Sequence, residues 1–301
     1  MRAAKTVLSA SLLLLALCAG QAQTNANYQR TEDVIYGRKF GTALTLDVFQ
    51  PPKANGVGII LLVSGGWFSA HEAIYPDLFL PLLKRGYTVF AIVHGSQPRY
   101  LVTEIEPDIH RAVRFIRHNA ARYGVDPSRL GLTGGSAGGH LSLTLATQGA
   151  PGDSQAHDPV ERESSEVQCV ACFFPPTDFL NYSGPGEDAV GVGTLKEFRP
   201  AFGPRADTAE GRQRLGREIS PIYFVHSNMP PILIIHGDAD KLVPIYQSQT
   251  FVKRCEAVGS PATLIVRKGK VHGWPDMGKD MERFADWFDE HLRGVKRSGA
   301  G

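Results

Sequence analysis

Apolar runs alternate with segments of helical periodicity along most of this chain. The later runs are continuously apolar, which is typical of strands covered on both faces of a sheet. Strands that alternate with helices predict a mostly parallel central sheet of about eight strands, flanked by helices, in an α/β fold. The first two runs should pair antiparallel around the segment 37–42. The predicted strands are 34–36, 44–49, 58–63, 87–93, 129–133, 167–174, 232–236 and 262–267.

The clearest predicted helix covers residues 104–123. Its apolar residues recur at helical spacing, while its arginines occupy other faces and indicate a solvated surface rather than a binding patch. Two further helices are predicted at 245–257, ending at Gly259, and at 279–292.

One region, about 179–230, breaks this rhythm because it is rich in Gly, Pro and Arg and has little periodicity. A segment this long between core elements is often a lid or a substrate wall. We therefore expect a lid-like insertion with short helices that lies above the sheet and shapes a pocket.

The first 22 residues have the pattern of a secretory signal peptide. Arg2 and Lys5 precede an apolar run over 7–19, and small residues follow up to Ala22. This pattern predicts a secreted or periplasmic protein with a single domain over 23–301. Lipoprotein anchoring at Cys18 is a less favoured alternative, because Leu17 fits the required motif poorly. No later stretch is apolar enough to cross a bilayer.

Composition and charge exclude several classes of protein. The chain has 301 residues, of which 43% are hydrophobic, enough for a core without metals or disulfides. Its net charge of +2 comes from the two basic residues of the leader, so nothing indicates a nucleic-acid partner.

Cys169, Cys172 and Cys255 remain after the leader, and an odd number excludes a full disulfide framework. Cys169 and Cys172 should point to opposite faces of one strand, so they should neither pair nor share a metal.

The strongest chemical signal is the sequence Gly134-Gly135-Ser136-Ala137-Gly138, which is G-x-S-x-G. With a strand before it and a helix after it, this pattern predicts a sharp turn that lifts Ser136 above the sheet edge. A P-loop would need a Lys at the end of the glycine run, and none is there.

A serine nucleophile needs a histidine base and a carboxylate that orients it, in the chain order Ser, acid, His. The strand at 232–236 runs into Asp238 and Asp240, which compete for the acid role. His272 follows the last predicted strand and precedes the last helix, so it is the candidate base.

Such a site also needs backbone N–H groups that stabilise a developing oxyanion. One should come from Ala137, directly after the serine. Another should come from the loop after the third strand, among Gly65, Gly66 and Trp67.

These segments together resemble the α/β-hydrolase superfamily, and within it the esterase/lipase group of acetyl xylan and feruloyl esterases (BD-FAE-like). The resemblance covers about 57–292 and rests on "GLTGGSAGGHLS", "HGDADKLVP" and "KVHGW". It implies that Asp240, the second Asp of H-G-D-x-D, is the acid. It also implies that Asp178, in "FFPPTDF", belongs to a structural segment. Two segments depart from the pattern: "VSGGW" lacks the usual histidine of the oxyanion loop, and "VHGSQPRY" lacks the usual Tyr-Arg.

The sequence therefore predicts a serine hydrolase of carboxylic esters, acting on short-acyl or carbohydrate-linked esters, that requires no metal or organic cofactor. Two alternatives are weighed against it. A serine peptidase resembling the prolyl oligopeptidase catalytic domain is less favoured, because the chain has no room for the usual β-propeller. A non-catalytic binding protein on a hydrolase scaffold is less favoured, because such proteins usually lose a triad residue.

Overall fold

The computed structural model describes residues 27–295; the predicted leader and Cys18 lie outside this range. Eight strands in the described residues form one sheet in the order β1-β2-β4-β3-β5-β6-β7-β8. The pairs β1/β2 and β2/β4 are antiparallel, and all other pairs are parallel. The strands are β1 Gln29–Lys39, β2 Thr42–Gln50, β3 Gly58–Val63, β4 Thr88–Val93, β5 Leu130–Gly135, β6 Cys169–Phe173, β7 Ile232–Gly237 and β8 Ala262–Arg267.

Helices cover both faces of this sheet, which confirms the predicted α/β fold. Within residues 27–295 the α-helices are α1 Pro76–Lys84, α2 Val102–His118, α3 Ala137–Gln148, α4 Ala209–Ile219, α5 Tyr246–Ala257 and α6 Met277–Arg293. The core on one face takes side chains from α2, α3 and α5, and the core on the other face takes them from α1 and α6. No helix in this part of the chain combines the length and apolarity that a bilayer crossing needs.

Some elements differ from the prediction for identifiable reasons. The opening hairpin is longer than expected, because its polar ends pair along the sheet edge where no apolar pattern is required. Helix α1 was not predicted; it contains Pro81, and a proline inside a helix usually signals a break. Strand β8 was expected to be covered on both faces, but it is the edge strand and is partly exposed.

The cysteines lie as predicted. Cys169 packs in one face of the core and Cys172 in the other. Both, together with Cys255, are buried free thiols.

The region 179–230 contains short 3₁₀ helices and α4. Its 3₁₀ segments are Gly193–Ala201, Pro204–Asp207 and Pro221–Phe224. Several of its aromatic side chains pack against Trp67, in the loop after β3, so this region lies close to the carboxyl end of the sheet.

Candidate active site

Ser136 lies on a strained turn between β5 and α3. Its φ of 55° and ψ of −120° are outside the regions that L-residues normally occupy. Such strain persists only where the surrounding structure imposes it. The serine N–H donates to Phe173 O at 3.1 Å, which ties the turn to the neighbouring strand β6.

Two glycines flank this turn because backbone passes very close to them. A Cβ on Gly134 would lie 2.5 Å from Gly138 O, and one on Gly138 would lie 2.5 Å from Leu62 O. Any side chain at either position would displace backbone. Glycine is therefore required at both outer positions of G-x-S-x-G, because a side chain at either one would overlap backbone atoms.

His272 joins the serine to a buried carboxylate. Its Nε2 lies 2.9 Å from Ser136 Oγ, and its Nδ1 lies 2.7 Å from Asp240 Oδ2. Because the carboxylate accepts the Nδ1 proton, Nε2 is left with a lone pair that can take the serine proton. Phe174 packs on the imidazole, with ring centroids 4.5 Å apart. The structure thus brings together three side chains that follow β5, β7 and β8.

The two competing aspartates have separate environments. Asp240 is buried, and its Oδ1 accepts the N–H groups of Leu242 and Val243 at 2.9 Å each. Its Oδ2 therefore remains for His272. Asp238 is exposed and accepts the N–H of Gly269 at 2.5 Å, which ties the loop after β7 to the loop after β8.

The electrostatic surroundings keep Asp240 ionised. Burial would raise the pKa of its carboxyl, but hydrogen bonds from His236, His272 and the Val243 N–H hold this pKa at about 2. Because that value lies below the ordinary one of 3.8, the carboxylate stabilises the fold above about pH 4. This stabilisation is lost as the pH falls towards 2.

Sequence reasoning assigned no special role to His236. It is fully buried, with Nδ1 2.7 Å from Ser248 Oγ and Nε2 2.8 Å from Val243 O. Its Nε2 also lies 3.4 Å from Asp240 Oδ2. His236 thus holds the loop that carries the carboxylate. A signal was present, since it is the His of the H-G-D-x-D motif.

The loop after β3 can supply oxyanion donors. Gly65 N–H donates to Phe68 O at 2.9 Å, so this group is already used within the loop. Within residues 27–295 the N–H groups of Gly66 and Trp67 donate to no backbone acceptor, and Ala137 is the first residue of α3, so its N–H has no acceptor within the helix. These three residues and Ser136 line one small cavity. The loop's candidate N–H donors to an oxyanion are therefore those of Gly66 and Trp67.

Trp67 is held in a strained conformation by its buried indole. Its φ is 60°, which is unfavourable for a residue with a Cβ. The indole Nε1–H donates to His140 Nδ1 at 3.2 Å, and His140 Nε2–H donates to Ile219 O at 2.7 Å. Burial lowers the pKa of His140 to about 4, so the ring is neutral and Nδ1 can accept. His140 thereby connects the oxyanion loop, helix α3 and the region 179–230.

We expect Trp67→Phe and His140→Leu to be coupled. Each variant leaves one enclosed polar atom of the indole–imidazole pair without a partner, at a cost of about 1–3 kcal/mol in the free energy of unfolding, and His140→Leu additionally removes the donor to Ile219 O. The double variant removes both polar atoms, so its loss should be smaller than the sum by about 1 kcal/mol. We also expect each single variant to lower kcat on an ester about tenfold with little change in KM, because the strained loop loses its support. Urea unfolding and steady-state kinetics test this, and additive losses with unchanged kcat would contradict it.

The cavity beside Ser136 is narrow. Its volume is about 10 Å³, close to what one water molecule needs. The Phe198 ring packs against Gly66 and closes the cavity. The two lie so close that a Cβ added to Gly66 would be 2.4 Å from the Phe198 ring. The other lining side chains, mostly apolar, are Pro176, Tyr182, Leu195, Leu242 and Val243. In the part of the chain that the structure covers, no three His, Cys, Asp or Glu side chains cluster so as to hold a metal ion.

The strand order and a serine on a sharp turn after β5 define an α/β-hydrolase fold. The chain belongs to the BD-FAE family, whose family model matches residues 46–255. The resemblance inferred from the sequence is therefore confirmed.

Similar proteins are esterases by name. The chain is 28% identical over 238 residues to "Probable carboxylic ester hydrolase LipM" of Mycobacterium tuberculosis, covering 77% of this chain and 53% of the relative. It is 25% identical over 233 residues to "Isoprenylcysteine alpha-carbonyl methylesterase ICME" of Arabidopsis thaliana, covering 75% and 53%. The chain thus spans about half the length of these curated relatives. A solved structure described as "Truncated form of carbohydrate esterase from gut microbiota" is 27% identical with a TM-score of 0.75, over 91% of this chain and 100% of the other.

Proposed function

We propose that this protein is a serine esterase that hydrolyses carboxylic esters with short acyl groups, on a carbohydrate or a similar alcohol. The observation that carries the proposal is the continuous hydrogen-bonded chain from Ser136 Oγ through His272 to Asp240 Oδ2. Membership of the BD-FAE family and the names of the relatives support the reaction class.

The first half of the reaction follows from this geometry. Ser136 Oγ attacks the ester carbonyl carbon while His272 Nε2 takes the hydroxyl proton. Asp240 stabilises the imidazolium that forms. The N–H groups of Ala137 and of Gly66 or Trp67 donate to the tetrahedral oxyanion. His272 then returns the proton to the leaving alcohol, which leaves an acyl group on Ser136.

The second half repeats these steps with water as the nucleophile. His272 takes a proton from water, which attacks the acyl carbonyl, and the same N–H groups stabilise the second oxyanion. Collapse of this intermediate releases the acid and restores the Ser136 hydroxyl. No step requires a metal or an organic cofactor.

The narrow cavity beside Ser136 supports a preference for short acyl groups. A cavity of about 10 Å³ has no room for a long alkyl chain. Hydrolysis rates of p-nitrophenyl acetate, butyrate and octanoate test this: we expect kcat/KM to fall steeply with chain length. A profile that rises towards octanoate would contradict the preference without affecting the reaction class.

Phe198→Ala should widen the acyl preference. Removing the ring opens the cavity against Gly66, so we expect kcat/KM for the octanoate ester, relative to acetate, to rise at least about tenfold. Phe224→Ala is a matched control, because Phe224 lies in the same region but does not line the cavity. An unchanged acyl profile in Phe198→Ala, or an equal change in both variants, would exclude Phe198 as the residue that limits acyl length.

A further inference from the structure

Gln247 is a fully buried polar residue that takes no part in the proposed reaction steps. It lies in the first turn of α5. A carboxamide is costly to bury unless its hydrogen bonds are made, so its contacts identify what it holds in place.

The Gln247 side chain holds the segment 177–182, which follows β6 and has neither helix nor strand. Its Oε1 accepts the N–H groups of Thr177 and Asp178, both at 2.7 Å. Its Nε2 donates to Tyr182 O at 2.7 Å and to Asp178 O at 3.1 Å. Buried backbone groups without regular structure need such partners. One carboxamide therefore fixes both ends of this segment.

The same segment brings Tyr182 to the cavity beside Ser136. Tyr182 is buried, lines that cavity, and donates its hydroxyl to Leu242 O at 3.1 Å. Burial and the nearby Asp240 carboxylate raise the pKa of Tyr182 well above its ordinary value. The hydroxyl therefore keeps the proton that it donates.

The hydroxyl of Tyr182 reaches the triad through a single peptide group. Leu242 C=O and Val243 N–H belong to the same trans peptide, so they point in opposite directions. The Val243 N–H donates to Asp240 Oδ1 at 2.9 Å. A donor on the carbonyl side both orients this peptide and polarises its N–H. With Oδ1 held in this way, Asp240 Oδ2 faces His272 Nδ1, 2.7 Å away.

We propose that Gln247 is a positioning residue, which acts through the Tyr182 hydroxyl and the peptide between Leu242 and Val243 on the orientation of the Asp240 carboxylate. The proposal rests on the proposed esterase function for its effect on rate, but the hydrogen bond between His272 and Asp240 can be observed without hydrolysis.

The test uses Gln247→Glu, Tyr182→Phe and the double variant. Glutamate keeps the side-chain length and an oxygen that accepts from the segment 177–182, but it carries at most one proton where the amide carries two. Tyr182→Phe keeps the ring and removes the hydroxyl that contacts Leu242.

Two controls make the same replacements at the other end of the sheet. Gln168→Glu changes a carboxamide whose oxygen accepts Leu130 N–H at 2.9 Å, at the amino end of β5. Tyr87→Phe removes a buried hydroxyl that donates to Asp289 Oδ1 at 2.6 Å, next to the amino end of β4. Ser136 follows the carboxyl end of β5, and β4 and β5 both run parallel to β3.

The first measurement is steady-state hydrolysis of p-nitrophenyl acetate, beside urea unfolding. Gln247→Glu and Tyr182→Phe should each lower kcat about tenfold with less than about a twofold change in KM, because the imidazole loses its fixed partner. The double variant should also lose only about tenfold, since both changes break one path. Both controls should keep kcat within about twofold, even where they lower the free energy of unfolding.

The second measurement is the downfield proton NMR signal of the hydrogen bond between His272 Nδ1 and Asp240, assigned by its loss in His272→Ala. We expect the signal to shift in Gln247→Glu and in Tyr182→Phe, and to stay in place in both controls.

A roughly hundredfold loss of kcat in the double variant, the product of two independent losses, would overturn the path through Tyr182. Unchanged kcat in Gln247→Glu with a lower free energy of unfolding would reduce Gln247 to a structural role. If Gln247→Glu does not fold, Tyr182→Phe decides alone: unchanged kcat and an unmoved signal would overturn the proposal.

The two measurements separate this proposal from the esterase itself. Normal hydrolysis by the wild-type protein, with an unmoved signal in both variants, would overturn the positioning role and leave the esterase standing. A signal that shifts as expected in a protein that hydrolyses no ester would support the positioning role and refute the esterase.

Discussion

Ser136→Ala should lower kcat for p-nitrophenyl acetate by at least about 10⁴-fold, because among the described residues Ser136 Oγ is the hydroxyl that His272 Nε2 contacts. The fold should survive, since alanine keeps the Cβ and the strained turn is held by backbone contacts from β6. Steady-state kinetics and thermal unfolding of the two proteins measure these effects together.

Ser142→Ala is the matched control for this prediction. Ser142 lies on the same helix α3, is fully buried, and donates to Gly138 O at 2.7 Å. We expect this variant to keep activity within a few-fold, because its hydroxyl has no contact with His272. Substantial activity in Ser136→Ala, or an equal loss in both variants, would mean that the hydroxyl of Ser136 is not the nucleophile.

Asp240→Asn should lower kcat by about 10⁴-fold, as the same replacement does in a serine protease triad. The reason lies in the two oxygens of this carboxylate. Leu242 and Val243 donate their N–H groups to Oδ1, so the amide oxygen of asparagine would take that place. The amide NH₂ would then face His272 Nδ1 and force the imidazole proton onto Nε2. In that tautomer, Nε2 cannot accept the proton of Ser136.

Asp238→Asn is the control in the same loop. Asp238 is exposed and contacts the Gly269 N–H rather than His272, so we expect less than a tenfold loss of kcat. A larger effect in Asp238→Asn than in Asp240→Asn would reverse the assignment of the acid. Replacement of His272 by alanine should match the loss in Ser136→Ala, because the three side chains act as a unit.

Local patterns in the sequence were sufficient for the main elements of the fold. The inner strands are continuously apolar and short, which leaves a parallel sheet as the arrangement that buries them. Sequence patterns gave the bounds of β8 but not its exposure at the sheet edge, missed the polar ends of β1, and missed α1, where Pro81 inside the helix masks the helical signal.

The candidate active site was likewise predictable from the sequence only in part. Ser136 and His272 could be identified from a turn motif and from chain order, which are local properties. The choice of Asp240 over Asp238 needed the resemblance to a family. The pairing of Trp67 with His140 could not be predicted, because they lie 73 residues apart and no local pattern joins an indole to an imidazole over that separation. The closure of the small cavity by Phe198 was equally hidden, since the region 179–230 has no periodicity that would place its side chains.

The most direct test of the central claim is a covalent trap. The protein and its Ser136→Ala variant are treated with paraoxon, which transfers a diethylphosphoryl group to an activated serine. Intact mass spectrometry and peptide mapping then locate the adduct. We expect a single diethylphosphoryl group on Ser136 in the wild-type protein and none in the variant. An adduct on another residue, or an unmodified wild-type protein that remains folded, would contradict the assignment of Ser136 as the activated nucleophile.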